Sequence, residues 1–262
     1  MTEWRSGFTT TGIHYTRTGG DRPPLVLAHG FTDSGLCWTR AAQALEDTYD
    51  VVMPDARGHG LTPLPDQPQR AESLADDLSG LIRELGLGKP PIVGHSMGAV
   101  TALATATGHP DRVGAIVLVD PPWRLEADEQ RPPGFWAGWR NSIAADKQKT
   151  DQELTARVRE EGPTWHETEI RTKVDAIRQL DIRVFDLFTL PLLTWRELLP
   201  GIGCPALLVW ADAGGIPEGL ADIAAGLTPN LATTRIDNSG HCIQRDQFER
   251  FVDTVQQFLN GL

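Results

Sequence analysis

The chain has 262 residues, 40% hydrophobic and 23% charged, an ordinary balance for a globular protein long enough for one large α/β domain with an insertion. A formal net charge of −11 with no basic cluster argues against nucleic acid and anionic membrane surfaces as partners. Cys37, Cys204 and Cys242 are scattered in no metal-ligand spacing, and the first residues hold no apolar run for a signal or anchor, so a reduced, cytoplasmic protein is expected.

Residues 4–18 alternate around Thr11-Gly12 and predict two short strands. Leu25-Val26-Leu27-Ala28 lies between Pro23-Pro24 and His29-Gly30. Its unbroken apolar character is what a strand covered on both faces requires. A helix is expected through 38–45, a strand at Val51-Val52-Met53, and a loop over 54–60. Leu74, Leu78, Leu81, Ile82 and Leu85 recur at helical spacing and predict an amphipathic helix over about 71–86.

The next strand, Ile92-Val93, runs into Gly94-His95-Ser96-Met97-Gly98, and a small-residue helix, 97–108, begins at once. This is the G-x-S-x-G turn from strand to helix, where the serine backbone is strained and bulky flanking residues would clash. Ser96 is therefore the expected nucleophile. Residues 113–119 form another buried strand, ending at Asp120-Pro121-Pro122. Strand and helix alternate up to this point, as in a parallel, doubly wound sheet.

Residues 122–198 break the alternation. They hold five of the eight tryptophans (Trp123, Trp136, Trp139, Trp165, Trp195) and helical apolar spacing at Val174, Ile177, Leu180, Val184, Leu187 and Leu190. The expectation is a helical cap inserted into a core made of 1–121 and 199–262. The sheet resumes at 206–210, followed by a helix near 217–227, a strand near 231–236 and a closing helix marked by Phe248, Phe251, Val252, Val255, Phe258 and Leu259.

A serine needs a base to take its proton. His241 follows the final strand, on the loop where such a base should arrive, in the chain order serine, acid, histidine. Cys242 beside it is set aside as a nucleophile, because chain neighbours seldom face each other. A developing oxyanion needs two N–H donors. The expected donors are the amides of Met97, at the helix start, and of Phe31, in the loop after the third strand.

These residues resemble the α/β-hydrolase superfamily, in its branch of lidded esterases, lactonases, epoxide hydrolases and haloalkane dehalogenases. The likeness is carried by His29-Gly30-Phe31, Asp55-x-Arg57-Gly58-His59-Gly60, the elbow, His109-Pro110-Asp111-Arg112-Val113 and Gly240-His241. It runs from about residue 12 to the end, the cap excepted. It implies an α/β-hydrolase fold, a mostly parallel doubly wound sheet with an inserted helical cap, using no metal and no organic cofactor. Dehalogenases and epoxide hydrolases of this family carry aspartate at the elbow; Ser96 resembles the ester-cleaving members. Arg57 and His59 are read as ordering their loop.

The acid departs from the pattern. Its usual position, four residues past Trp210, is Gly214. Asp212, in the same loop, and Asp120, at the end of the strand after the elbow helix, are the two candidates, and the residues leave the choice open. The cap aromatics, with Phe135, Phe185 and Phe188 among them, suit a hydrophobic substrate, and Trp38 and Trp123 are the expected substrate-binding neighbours. The reading is a serine hydrolase of hydrophobic small-molecule esters or lactones. A C–C bond hydrolase or perhydrolase with the same triad is one alternative, and a hydrolase-like ligand receptor with little turnover is another. Oligomeric state is not encoded legibly.

Overall fold

A computed structural model describes residues 4–124, 133–188 and 195–262. Among them, eight strands form one sheet: β1 (Arg5–Phe8), β2 (His14–Arg17), β3 (Pro24–Ala28), β4 (Asp50–Pro54), β5 (Pro91–His95), β6 (Ala115–Val119), β7 (Ala206–Ala211) and β8 (Leu231–Ile236). Their spatial order is β1-β2-β4-β3-β5-β6-β7-β8. The β1–β2 hairpin and the β2–β4 pair are antiparallel, and all later pairs are parallel. The expected α/β, mostly parallel sheet is what the chain forms.

Helices cover both faces because side chains alternate along each strand. Leu25 and Leu27 of β3, with Val117 and Val119 of β6, pack against α1 (Thr39–Leu45) and α11 (Phe248–Asn260) through Ala42, Leu45, Phe251 and Val255. Val26, Ala28, Ile116 and Leu118 point the other way, onto α2 (Ala71–Glu84), α3 (Met97–Gly108) and α9 (Leu220–Ala225) through Leu78, Leu81, Ala102, Leu103 and Ala224. Continuous apolar runs such as Ala115 to Val119, fully buried, satisfy both layers at once.

Between β6 and β7 the chain forms α4 (Phe135–Asp146), α5 (Asp151–Glu161), α6 (Glu167–Gln179), α7 (Val184–Leu187) and α8 (Trp195–Leu198). The spacing from Val174 to Leu187 is not one helix. Leu180 leaves helical geometry at ψ 127°, and the chain restarts at Val184, so Leu180 and Val184 meet in a small core instead of stacking on one helix. Leu190 lies outside the described residues. After β8, the short α10 (Ile243–Asp246) precedes α11. Among the described residues no helix is long and apolar enough to cross a membrane.

Four histidines are buried, and His29, His59 and His95 are at most 3% exposed. Burial lowers the pKa of each of these three; His59, with His29 beside it, is held at about 3, and His95 lies well below its ordinary value. An unfolded chain protonates these rings near pH 6.5. Between that value and about pH 3 the unfolded chain binds a proton at His59 that the folded state excludes, and burial of His29 and His95 acts in the same direction, so stability falls as pH falls. The slope reaches about 1.4 kcal/mol per pH unit for each ring that stays neutral. The urea midpoint is expected to hold steady above about pH 7 and to drop continuously from about pH 6.5 to about pH 5. A flat profile there would contradict neutral burial of these rings.

Candidate active site

Strand register assembles the site at the carboxyl edge of the sheet. His95 of β5 stands opposite Val119 of β6, and Val119 opposite Val209 of β7, so Ser96, Asp120 and Trp210 follow at neighbouring positions. The Ser96 amide donates to Val119 O at 2.9 Å and the Asp120 amide to Val209 O at 2.8 Å, extending the parallel pairing one residue past each strand end. Ser96 has φ 52° and ψ −111°, a conformation that costs a non-glycine residue on the order of 1–3 kcal/mol. It is half-buried, at the start of α3.

The flanking glycines are there for space. A Cβ on Gly94 would fall 2.1 Å from Gly98 O, and one on Gly98 would fall 2.1 Å from Ala28 O. The elbow therefore presses α3 against β5 and β3. Gly30 brings the loop after β3 to the same place, since its added Cβ would sit 3.5 Å from Ser96 Cβ. Among the described residues neither the Phe31 nor the Met97 amide donates a hydrogen bond, which leaves two N–H groups flanking the serine unspent.

His241 donates from Nδ1 to Asp120 Oδ2 at 2.5 Å, which leaves Nε2 as the basic nitrogen. Asp120 is fully buried, whereas the His241 side chain is 45% exposed. The same Oδ2 accepts from the Gly215 amide at 2.6 Å. Asp212 is not part of this contact: its Oδ1 accepts from the Ser239 amide at 3.1 Å, and such backbone bonds lower its pKa. Of the two expected acids, then, Asp120 meets the histidine and Asp212 braces the loop before it.

The space itself explains the glycine at the usual acid position. A Cβ on Gly214 would come within 2.6 Å of Asp120 Oδ1, and one on Gly215 within 3.1 Å of Oδ2. Asp120 occupies this volume from β6, with its backbone at φ 41°, so a side chain at 214 would have to displace its carboxylate.

Trp38 and Trp123, expected to touch substrate, are packed into the core at 2% and 3% exposure. Trp38 stacks on Phe251 at 6.0 Å, and Trp123 on Trp195 at 5.1 Å. The aromatic surface instead gathers on the Phe31 ring, which meets Trp139, Phe185 and Phe188 at 5.2, 5.0 and 5.8 Å, and Trp136 at 6.1 Å. Phe31 thus carries a candidate oxyanion amide and is also the hub of an apolar wall contributed by α4 and the 185–188 segment.

Arg57 makes a two-pronged pair with Asp77, both bonds 2.6 Å, and tethers its loop to α2. Burial drives the Cys242 thiol up to about 12, so it holds its proton at neutral pH. His95, the residue before the nucleophile, donates from Nε2 to His241 O at 2.9 Å. That bond joins residues 146 apart, a meeting no local pattern encodes; only the place of His95 inside the elbow could have flagged it. Among the described residues no three His, Cys, Asp or Glu side chains gather as a metal site.

Comparison with known proteins places the fold. The chain is 28% identical to N-formylmaleamate deformylase of Pseudomonas putida over 264 aligned residues, 94% of this chain and 92% of that protein. The solved structure of an N-formylmaleamic acid deformylase from Pseudomonas putida matches with TM-score 0.80 and 25% identity, covering 97% of this chain and all of the other. A thermophilic esterase from Thermogutta terrifontis matches with TM-score 0.75 and 25% identity, covering 99% and 98%. The family model of the alpha/beta hydrolase fold spans residues 23–247, and this chain, a hydrolase by fold and by kinship, belongs to that family.

Proposed function

We propose that the protein is a serine hydrolase that cleaves carboxylic esters or lactones of hydrophobic small molecules through an acyl-enzyme. The observation that carries this reading is the 2.5 Å contact of His241 with buried Asp120, on the sheet edge where Ser96 is held strained. Ser96 attacks the carbonyl carbon while His241 Nε2 takes its proton. Asp120 holds the imidazole in the tautomer that leaves Nε2 free and stabilises the imidazolium that forms. The Phe31 and Met97 amides receive the oxyanion. The imidazolium then protonates the departing alkoxide, and water, deprotonated by the same nitrogen, frees the serine. Residues 122–198 act as the cap, and the rings around Phe31 hold the apolar part of the substrate.

A second reading is favoured by the likeness to the deformylase over 94% of the chain: the scissile bond is an acyl C–N or C–C bond, cleaved by the same residues. The two readings separate on a panel of p-nitrophenyl butyrate, a δ-lactone, an N-formyl amide and a 1,5-diketone. Turnover of the ester and lactone, with labelling of Ser96 by a fluorophosphonate, is expected. Turnover of the amide or diketone alone would replace the first reading by the second, and neither turnover nor labelling would make the chain a ligand receptor.

A further inference from the structure

Beside the loop that follows β3 lies a group of charges that the proposed chemistry does not use. Asp33, Lys173 and Arg245 are 4%, 6% and 2% exposed. They come from three parts of the chain: the loop carrying Phe31, the helix α6, and α10 just after His241. Asp33 Oδ1 accepts from Lys173 Nζ at 2.8 Å, and its Oδ2 accepts from Arg245 Nη2 at 2.9 Å. Burial works against all three charges, yet the two cations hold the Asp33 carboxyl well below the usual range, and Asp33 keeps the Lys173 ammonium above its ordinary value. Buried ion pairs of this kind add little to stability over apolar residues of equal volume, so stability alone does not account for the arrangement.

Lys173 does something more specific. Besides Asp33, its ammonium donates to Thr32 O at 3.2 Å and to Thr32 Oγ1 at 3.0 Å, which uses all three of its N–H groups. Thr32 has φ 66°, a left-handed conformation that a β-branched residue resists. The turn containing it is closed by the Asp33 amide donating to Gly30 O at 3.1 Å. Phe31 sits inside that turn, so its amide direction is set by the backbone on either side.

We propose that Lys173 is a positioning residue for the oxyanion hole. Its ammonium pins Thr32 in the left-handed conformation and so aims the Phe31 N–H at the carbonyl held by Ser96, while Asp33 ties the same turn to the segment bearing His241. This rests on the assignment of Ser96 and the Phe31 amide made above. A contribution from α6 thereby enters the catalytic geometry, although no α6 side chain touches the reacting atoms.

The test is steady-state kinetics on p-nitrophenyl butyrate at a temperature where each variant is folded by circular dichroism. Lys173→Met keeps the length and removes the charge and all three donors. It is expected to lower kcat by about 10²-fold, the scale of losing one oxyanion donor, with KM changed by less than about threefold. Lys173→Arg should recover part of that loss. The decisive variant is Lys173→Met combined with Thr32→Gly, because glycine adopts positive φ without help. It should regain about tenfold in kcat over Lys173→Met alone.

An unchanged kcat in Lys173→Met, equal losses in kcat and affinity, or no recovery on adding Thr32→Gly would overturn the proposal. Should Lys173→Met fail to fold, Thr32→Val keeps every charge and removes one ammonium acceptor; a kcat-specific loss supports the proposal and an unchanged kcat overturns it. A parent enzyme that neither turns over nor is labelled by a fluorophosphonate would sink the serine hydrolase reading itself. A labelled, active parent with an indifferent Lys173→Met would sink only this one.

Discussion

Replacing Ser96 by alanine is expected to lower kcat by about 10⁶-fold, the scale on which a serine hydrolase loses its nucleophile, while the residual rate stays above that of water because the oxyanion donors survive. Fluorophosphonate labelling should vanish in the same variant. The backbone makes a second readout available. Ser96 sits at φ 52°, strain that Ser96→Ala retains and Ser96→Gly releases. Releasing it is worth on the order of 1–3 kcal/mol, reduced by about 0.5–1 kcal/mol for the greater unfolded-state freedom of glycine. Ser96→Gly should therefore be inactive yet unfold at higher urea than the parent, with Ser96→Ala close to the parent. Turnover of p-nitrophenyl butyrate by Ser96→Ala at more than about a hundredth of the parental rate would remove Ser96 from the mechanism.

Asp120→Asn is the other large effect. Both the Gly215 amide and the His241 Nδ1–H converge on one carboxylate oxygen, Oδ2. An asparagine can place its carbonyl oxygen there, but its NH₂ then takes the place of Oδ1, which is buried and without a hydrogen-bond partner among the described residues. Turned the other way, it presents an NH₂ to two donors. Either orientation removes the charge that stabilises the imidazolium. We expect kcat to fall by about 10³–10⁴-fold. Asp212→Asn, which alters bonds to backbone amides of its own loop and of Ser239 but none to His241, should stay within about threefold of the parent. Small and equal losses in the two variants would remove both carboxylates from the triad.

Much of the sheet could be read from the chain because parallel strands covered on both faces must be unbroken apolar runs, and β3, β6 and β7 are of that kind. The elbow was equally legible, since its two glycines answer to contacts within a few residues or with the adjoining strand. What could not be read depends on distance in the chain. Asp120 and His241 lie 121 residues apart, and their meeting depends on the path of the 212–216 loop, which no local pattern encodes. Trp38 and Trp123 show a different limit. An aromatic ring suits a core and a pocket equally well, and here the core took both. The break at Leu180 is not legible in the pattern, because the apolar residues on either side of it keep helical spacing while the backbone does not.

The carboxylate of Asp120 and a side chain at position 214 compete for one volume. A variant that moves the acid from 120 to 214 therefore has to change both positions. Gaining aspartate at 214 first would crowd two carboxylates into a site built for one, and losing Asp120 first would leave His241 without a partner. Position 214 can therefore carry a side chain only where the Asp120 carboxylate has moved aside or been removed, so the two positions behave as one steric unit.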